Sequence, residues 1–235
     1  MKVTLAEYRD DLHQAEMLAT LVAAELTDAL SRKGHATLAV PGGETPRTFL
    51  HTLSRKPIAW GRVSVMLTDE RFVPESNLRS NTRMMREHFL QGPAAKSKLV
   101  PLFWPAASPE VVLERLSLGV KQALPLDVCV LGMGVDGHVA SLFPGGSHLV
   151  KAMAPDCKQY LMPMRSDALD EPRLTLTANV LRAASHIHIL IVGPEKLAAL
   201  KAAEQAENAL VAPVRAILTA PNPVTVHYAE KAHQP

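Results

Sequence analysis

Apolar residues fall into two patterns along the chain. Between residues 11 and 33, Leu18, Leu21, Val22, Leu26 and Leu30 recur at three- and four-residue spacing, the stripe of an amphipathic helix. Gly34 follows directly and predicts its end, because glycine adopts the left-handed backbone that closes helices. The second pattern is the short, mainly apolar run, which predicts strands at 36–40, 63–67, 126–131, 187–192 and 224–228. Further helices are expected at 46–53, opened by Thr45-Pro46, and at 81–90, 109–124 and 194–206. Mainly apolar strands separated by helices imply a parallel sheet covered on both faces. The expected fold class is therefore α/β: a single, doubly wound, mostly parallel sheet with helices on both faces, Rossmann-like. No linker, repeat or low-complexity tract interrupts residues 1–235, so one domain is expected. Residues 145–172 show least regularity, and 167–172 read as an exposed loop.

Composition narrows the function classes. With 47% hydrophobic residues the chain can bury a real core, which excludes wholesale disorder. The 25 basic and 23 acidic residues leave a net charge of +2, without the basic run or face of a nucleic-acid binder. No window approaches the roughly 18 consecutive apolar residues of a membrane span. Residues 1–11 alternate charged with apolar positions and lack a signal-peptide core. Cys129 and Cys157 are two isolated thiols without metal-ligand spacing. A cytoplasmic protein with no nucleic-acid or membrane partner is expected. Aromatic residues make up only 4% of the chain, so ring stacking is not the main binding device.

Polar and glycine-rich clusters follow four of the expected strands: Pro41-Gly42-Gly43-Glu44-Thr45-Pro46, Asp69-Glu70-Arg71, the stretch from Gly132 to His138, and Gly193-Pro194-Glu195-Lys196. Any strand needs a turn, so one cluster alone means little. Four at the same sheet edge define a site, because ligands in open α/β sheets bind beyond the C-terminal strand ends. Glycines in Leu131-Gly132-Met133-Gly134-Val135-Asp136-Gly137-His138 let backbone N–H groups approach an anion or oxyanion. Asp136 would repel a pyrophosphate, which argues against a dinucleotide fingerprint. Histidine's ordinary pKa lies near neutrality, which suits His138 to a general base, with a nearby carboxylate to orient its ring. Alone it would be read as a loop histidine on water.

These motifs, with Phe72-Val73-Pro74, Ser80-Asn81, Ala140-Ser141-Leu142-Phe143-Pro144 and Arg173-Leu174-Thr175, resemble the 6-phosphogluconolactonases, in the superfamily that includes glucosamine-6-phosphate deaminases. The resemblance runs from about residue 36 to 218, and the stretch from Leu131 to Pro144 is its most specific part. It implies hydrolysis of 6-phosphoglucono-1,5-lactone to 6-phosphogluconate in the oxidative pentose phosphate pathway, with no organic cofactor and no essential metal. The implied partner is the small sugar-phosphate lactone, bound by a monomer or small homo-oligomer. His138 is then the general base, Asp136 its positioning group and Asp69 a ligand for a sugar hydroxyl or water. Adjacent residues of an extended chain point opposite ways, so only one of Asp69 and Glu70 is expected to face the site, and the motif selects Asp69.

A phosphate needs cations, and Arg71, Arg173 and Lys196 each stand beside a strand end or helix start. Arginine can grip phosphate through two N–H groups, whereas lysine acts as a point charge. Gly42, Gly43 and Thr45 would add the glycine loop and its backbone donors. Glu44 stands where the family often has a small hydroxyl residue, and it is expected to turn outward or pair with Arg47. Other residues take plainer readings. Ser141 lacks a nucleophile elbow and reads as a loop or helix hydroxyl. His186 and His188 share a strand face without a third ligand by spacing. Pro125 and Pro155 form turns, Met84, Met85, Met162 and Met164 pack, and Cys129 is a buried inert thiol. Two alternatives remain: a glucosamine-6-phosphate deaminase or isomerase, and a non-catalytic sugar-phosphate sensor. Phe72-Val73-Pro74 and the 140–144 stretch favour the lactonase over the first; the absence of a helix-turn-helix or basic face argues against the second.

Overall fold

Residues 3–167 and 169–232 are described by the computed structural model. In chain order the elements are β1 (Val3–Tyr8), α1 (Asp11–Lys33), β2 (Ala36–Val40), α2 (Arg47–Ser54), β3 (Val63–Leu67), β4 (Asp69–Arg71), α3 (Asn81–His88), β5 (Lys98–Leu99) and α4 (Pro109–Ala123). They continue with β6 (Val128–Gly132), α5 (Leu149–Met153), β7 (Leu161–Met164), β8 (Arg173–Leu176), α6 (Ala178–Arg182), β9 (His186–Val192), α7 (Pro194–Gln205), α8 (Val214–Leu218) and β10 (Val224–Ala229).

The mainly apolar runs form the middle of a seven-stranded sheet, ordered β1-β10-β9-β6-β2-β3-β5 and parallel throughout. All five residues of β2 are buried, as expected for a central strand covered on both faces. The chain builds outward from β2 through β3 to β5, then returns to the other side of β2 and builds through β6, β9 and β10. Strand order therefore reverses between β2 and β6, which opens a crevice at their C-terminal ends.

Helix α1 begins at Asp10, whose side chain accepts from the His13 N–H, and ends at Gly34 with φ +78°. Leu18, Val22, Leu26 and Leu30 face the core, but Leu21 is 39% exposed. At 100° per residue it lies at the border of the stripe, outside the strip that the sheet covers.

Three features depart from the sequence expectation. β1 is an added edge strand beside β10. Residues 145–172 contain α5 and β7. A second sheet of three antiparallel strands, ordered β4-β8-β7, joins residues about a hundred positions apart. Pro163 in β7 is tolerated because β7 is an edge of that sheet. Among the described residues no helix is long and apolar enough to cross a membrane.

Candidate active site

The crevice holds a cleft of about 410 Å³, walled by the loops after β2, β6 and β9 and by one face of the small sheet. Gly42, Gly43, Thr45, Asp69, Arg71, His138, Arg173 and Lys196 all line it. Asp136 stands behind His138 and reaches the cleft through it.

The small sheet decides what β4 presents. Asp69 is cross-strand partner to Thr175, and Arg71 to Arg173, so these four side chains share the cleft face. Glu70 points the other way and is fully buried. Its carboxylate accepts from the N–H groups of Arg71, Asn81 and Thr82 at 2.7–2.8 Å and from the Thr82 hydroxyl at 2.6 Å. Burial pushes the Glu70 carboxyl up, against the pull of those hydrogen bonds. Glu70 thus anchors the start of α3 and with it Asn81, whose amide donates to the Asp69 carbonyl at 3.0 Å. A Cβ on Gly42 would lie 2.1 Å from the Asn81 side chain, so only glycine lets the loop after β2 approach this closely.

Arg71 and Arg173 each keep a buried Nε without a partner among the described residues. Burial lowers the Arg173 pKa, with Asp69 and Glu171 opposing and Arg71 and Arg79 adding to the effect. Asp69 accepts from the Ser141 hydroxyl at 2.5 Å and lies 3.9 Å from Arg173. Ser141 is therefore committed to a carboxylate and fully buried, in keeping with its reading as a loop hydroxyl. Glu44 is 86% exposed at its side chain and lies 3.3 Å from Arg47. The N–H groups of Gly42, Gly43, Glu44 and Thr45 meet no backbone acceptor among the described residues. Pro46 and Gly193 precede α2 and α7 without side-chain caps, so the positive ends of two helices border the cleft. Lys196, in the first turn of α7, donates to the Met133 carbonyl at 2.8 Å.

His138 Nδ1 lies 2.6 Å from Asp136 Oδ1, which also accepts the His138 N–H at 3.1 Å. Although burial pushes the Asp136 carboxyl up, the charge and hydrogen bonds of His138 outweigh it and hold the pKa below the ordinary value. With Nδ1–H donated to the carboxylate, Nε2 is the ring's acceptor. The ring packs against Phe143, centroids 4.5 Å apart. A Cβ on Gly134 would fall 2.1 Å from Nδ1 and 2.3 Å from Asp136 Oδ1, so the pair needs that glycine. Sequence reasoning left Asn81, Phe143 and Leu169 out of the site. The signal for the first two was their place inside motifs; Leu169 arrives on a loop with no local signature.

His186 and His188 lie elsewhere. Both approach Glu25 of α1, at 3.2 and 2.8 Å; His188 also meets His227 at 3.0 Å, and His227 meets the Tyr8 hydroxyl at 2.8 Å. Among the described residues no group of three or more His, Cys, Asp or Glu side chains is arranged to hold a metal ion.

Residues 9–226 match the sequence model of the family described as glucosamine-6-phosphate isomerases/6-phosphogluconolactonase. A 6-phosphogluconolactonase of Pseudomonas aeruginosa is 45% identical over 216 residues, covering 92% of this chain and 90% of that one. One of Rhizobium meliloti is 41% identical over 221 residues, covering 92% and 94%. The crystal structure of a 6-phosphogluconolactonase from Shewanella baltica superposes with a TM-score of 0.93 at 30% identity, over 97% of each chain.

Proposed function

The chain belongs to the family of glucosamine-6-phosphate isomerases and 6-phosphogluconolactonases, and from that premise we propose that it hydrolyses 6-phosphoglucono-1,5-lactone with His138 as general base. The observation that carries this reading is the presence of two unlike groups in one cleft. One is an imidazole held by a carboxylate; the other is a pair of neighbouring arginines whose buried Nε atoms lack a partner among the described residues.

In this reading Arg71, Arg173, Lys196 and the N–H groups of the Gly42–Gly43 loop bind the phosphate. Asp69, held by Ser141, accepts from a sugar hydroxyl or orients water. His138 Nε2 removes a proton from water as its oxygen attacks the lactone carbonyl carbon. Asp136 stabilises the imidazolium that forms. Collapse of the tetrahedral oxyanion breaks the bond from C1 to the ring oxygen, which takes its proton from His138. The product acid then ionises. A lactone is an activated ester, so one base and oxyanion donors suffice without a covalent intermediate. The free thiols of Cys129 and Cys157 support a reducing, cytoplasmic setting.

The test is disappearance of freshly generated 6-phosphogluconolactone in a dehydrogenase-coupled assay. Acceleration over spontaneous hydrolysis is expected; a rate no faster than buffer would sink the proposal. Ammonia release from glucosamine 6-phosphate in its place would assign the deaminase chemistry.

A further inference from the structure

Arg79 lies outside the cleft, in the segment before α3, yet it joins three parts of the cation cluster. Its backbone carbonyl accepts from Arg71 Nη1 at 2.5 Å. Its guanidinium grips Glu171 with two N–H groups, Nε to Oε2 at 2.9 Å and Nη2 to Oε1 at 3.1 Å. It also lies 3.2 Å from the exposed Asp170. The same Glu171 Oε1 is 3.6 Å from Arg173 Nη2, a looser approach than either bond to Arg79.

Glu171 keeps only 11% of its side chain exposed. A carboxylate so placed needs a cation, because an unpaired buried charge is costly. Two guanidiniums are within reach, and they compete for it. The forked geometry goes to Arg79, and Arg173, a lining residue of the cleft, receives no forked carboxylate partner among the described residues. Arg173 keeps only two looser approaches, 3.6 Å to Glu171 and 3.9 Å to Asp69, in place of a close forked pair that would make it a poorer phosphate ligand.

We infer that Arg79 is a positioning residue that sequesters Glu171, and that this keeps Arg173 available for the phosphorylated end of the ligand. The inference rests on the reading of Arg71 and Arg173 as the phosphate grip. Without Arg79, Glu171 closes onto Arg173 and competes with the incoming dianion. Glu171 is then an internal competitor held off by a neighbour, and its removal is the natural cure for loss of Arg79.

The test is steady-state kinetics on the lactone, with inorganic phosphate as competitive inhibitor of the full chain. Arg79→Ala is expected to raise both KM and the phosphate inhibition constant about three- to tenfold, with kcat within about twofold. Glu171→Gln alone leaves both constants unchanged or lowers them. In the double variant the defect of Arg79→Ala disappears, which a merely structural role for Arg79 would not produce. A double variant as impaired as Arg79→Ala overturns the inference, as does an Arg79→Ala variant with unchanged constants. If Arg79→Ala folds poorly, Arg79→Gln removes the same charge at similar size and is read the same way. Arg71→Ala and Arg173→Ala separate the two claims: if neither weakens phosphate inhibition, the grip itself is wrong. If both do while the Arg79 variants behave as wild type, only the sequestering role falls.

Discussion

Two histidine sites, one in a loop beyond the main sheet and one on its strands, use their ring nitrogens differently. His138, in the loop after β6, commits Nδ1 to Asp136 and leaves Nε2 without a protein partner among the described residues. His188 and His227, on β9 and β10, commit every ring nitrogen. With all imidazoles neutral, one direction is consistent: the Tyr8 hydroxyl donates to His227 Nδ1, His227 Nε2–H to His188 Nδ1, and His188 Nε2–H to Glu25. His227 is fully buried, and burial, then the neighbouring His188, pushes its pKa down to about 3. Both clusters pair histidine with a carboxylate. What separates the proposed base from a structural brace is whether one nitrogen is left for a substrate.

The largest test of this contrast is His138→Ala. It is expected to lower kcat by about 10²–10⁴ while leaving the thermal midpoint near wild type; an unchanged kcat would move the base to Asp69. His227→Ala should behave in the opposite sense. Loss of a buried ring and two hydrogen-bond partners should cost about 2–4 kcal/mol in urea unfolding, with kcat of the folded protein within about twofold. A catalytic loss there would erase the distinction.

A pH series sharpens it further. His227 titrates near 3 in the folded chain against 6.5 as the ordinary value, so between those limits the unfolded chain binds more protons. Its contribution to stability is whole above pH 6.5 and is lost as pH falls towards 3, at no more than about 1.4 kcal/mol per pH unit. Glu25, His186 and His188 share the network, so the comparison is with His227→Phe, whose unfolding free energy should fall less steeply from pH 7 to 4. Equal slopes would mean that His227 is not the group responsible. The smallest effect is expected at Phe143→Ala. Loss of the ring that backs His138 should reduce kcat about two- to tenfold, and a drop as deep as that of His138→Ala would show that Phe143 does more than support the imidazole.

Much of this architecture was legible in the chain. Central strands such as β2 and β6 are mainly apolar runs because both their faces are covered, and helix α1 carries a stripe and a terminating glycine. The edges were not legible. β1 mixes exposed and half-buried residues because it has a neighbour on one side only. β5 is two residues long. The strands of the small sheet are Asp69–Arg71, all charged, and two four-residue pieces, one with proline. None is long enough to show a period, and each exists because its partner is there.

The same division runs through the site. Local composition was enough to gather Gly42, Asp69, His138 and Lys196 at one sheet edge, since glycine turns and polar clusters after buried strands leave few other places for them. That Arg71 lies beside Arg173, that Ser141 holds Asp69, that Glu70 anchors Asn81 and that Arg79 takes Glu171 were decided by pairing residues far apart in the chain. So was the relay from Tyr8 to Glu25. Apolar burial is written into the chain as a repeating pattern that neighbouring residues share. A hydrogen bond or ion pair between distant residues leaves no such pattern, because it depends on a few ångströms set by the packing of everything between them.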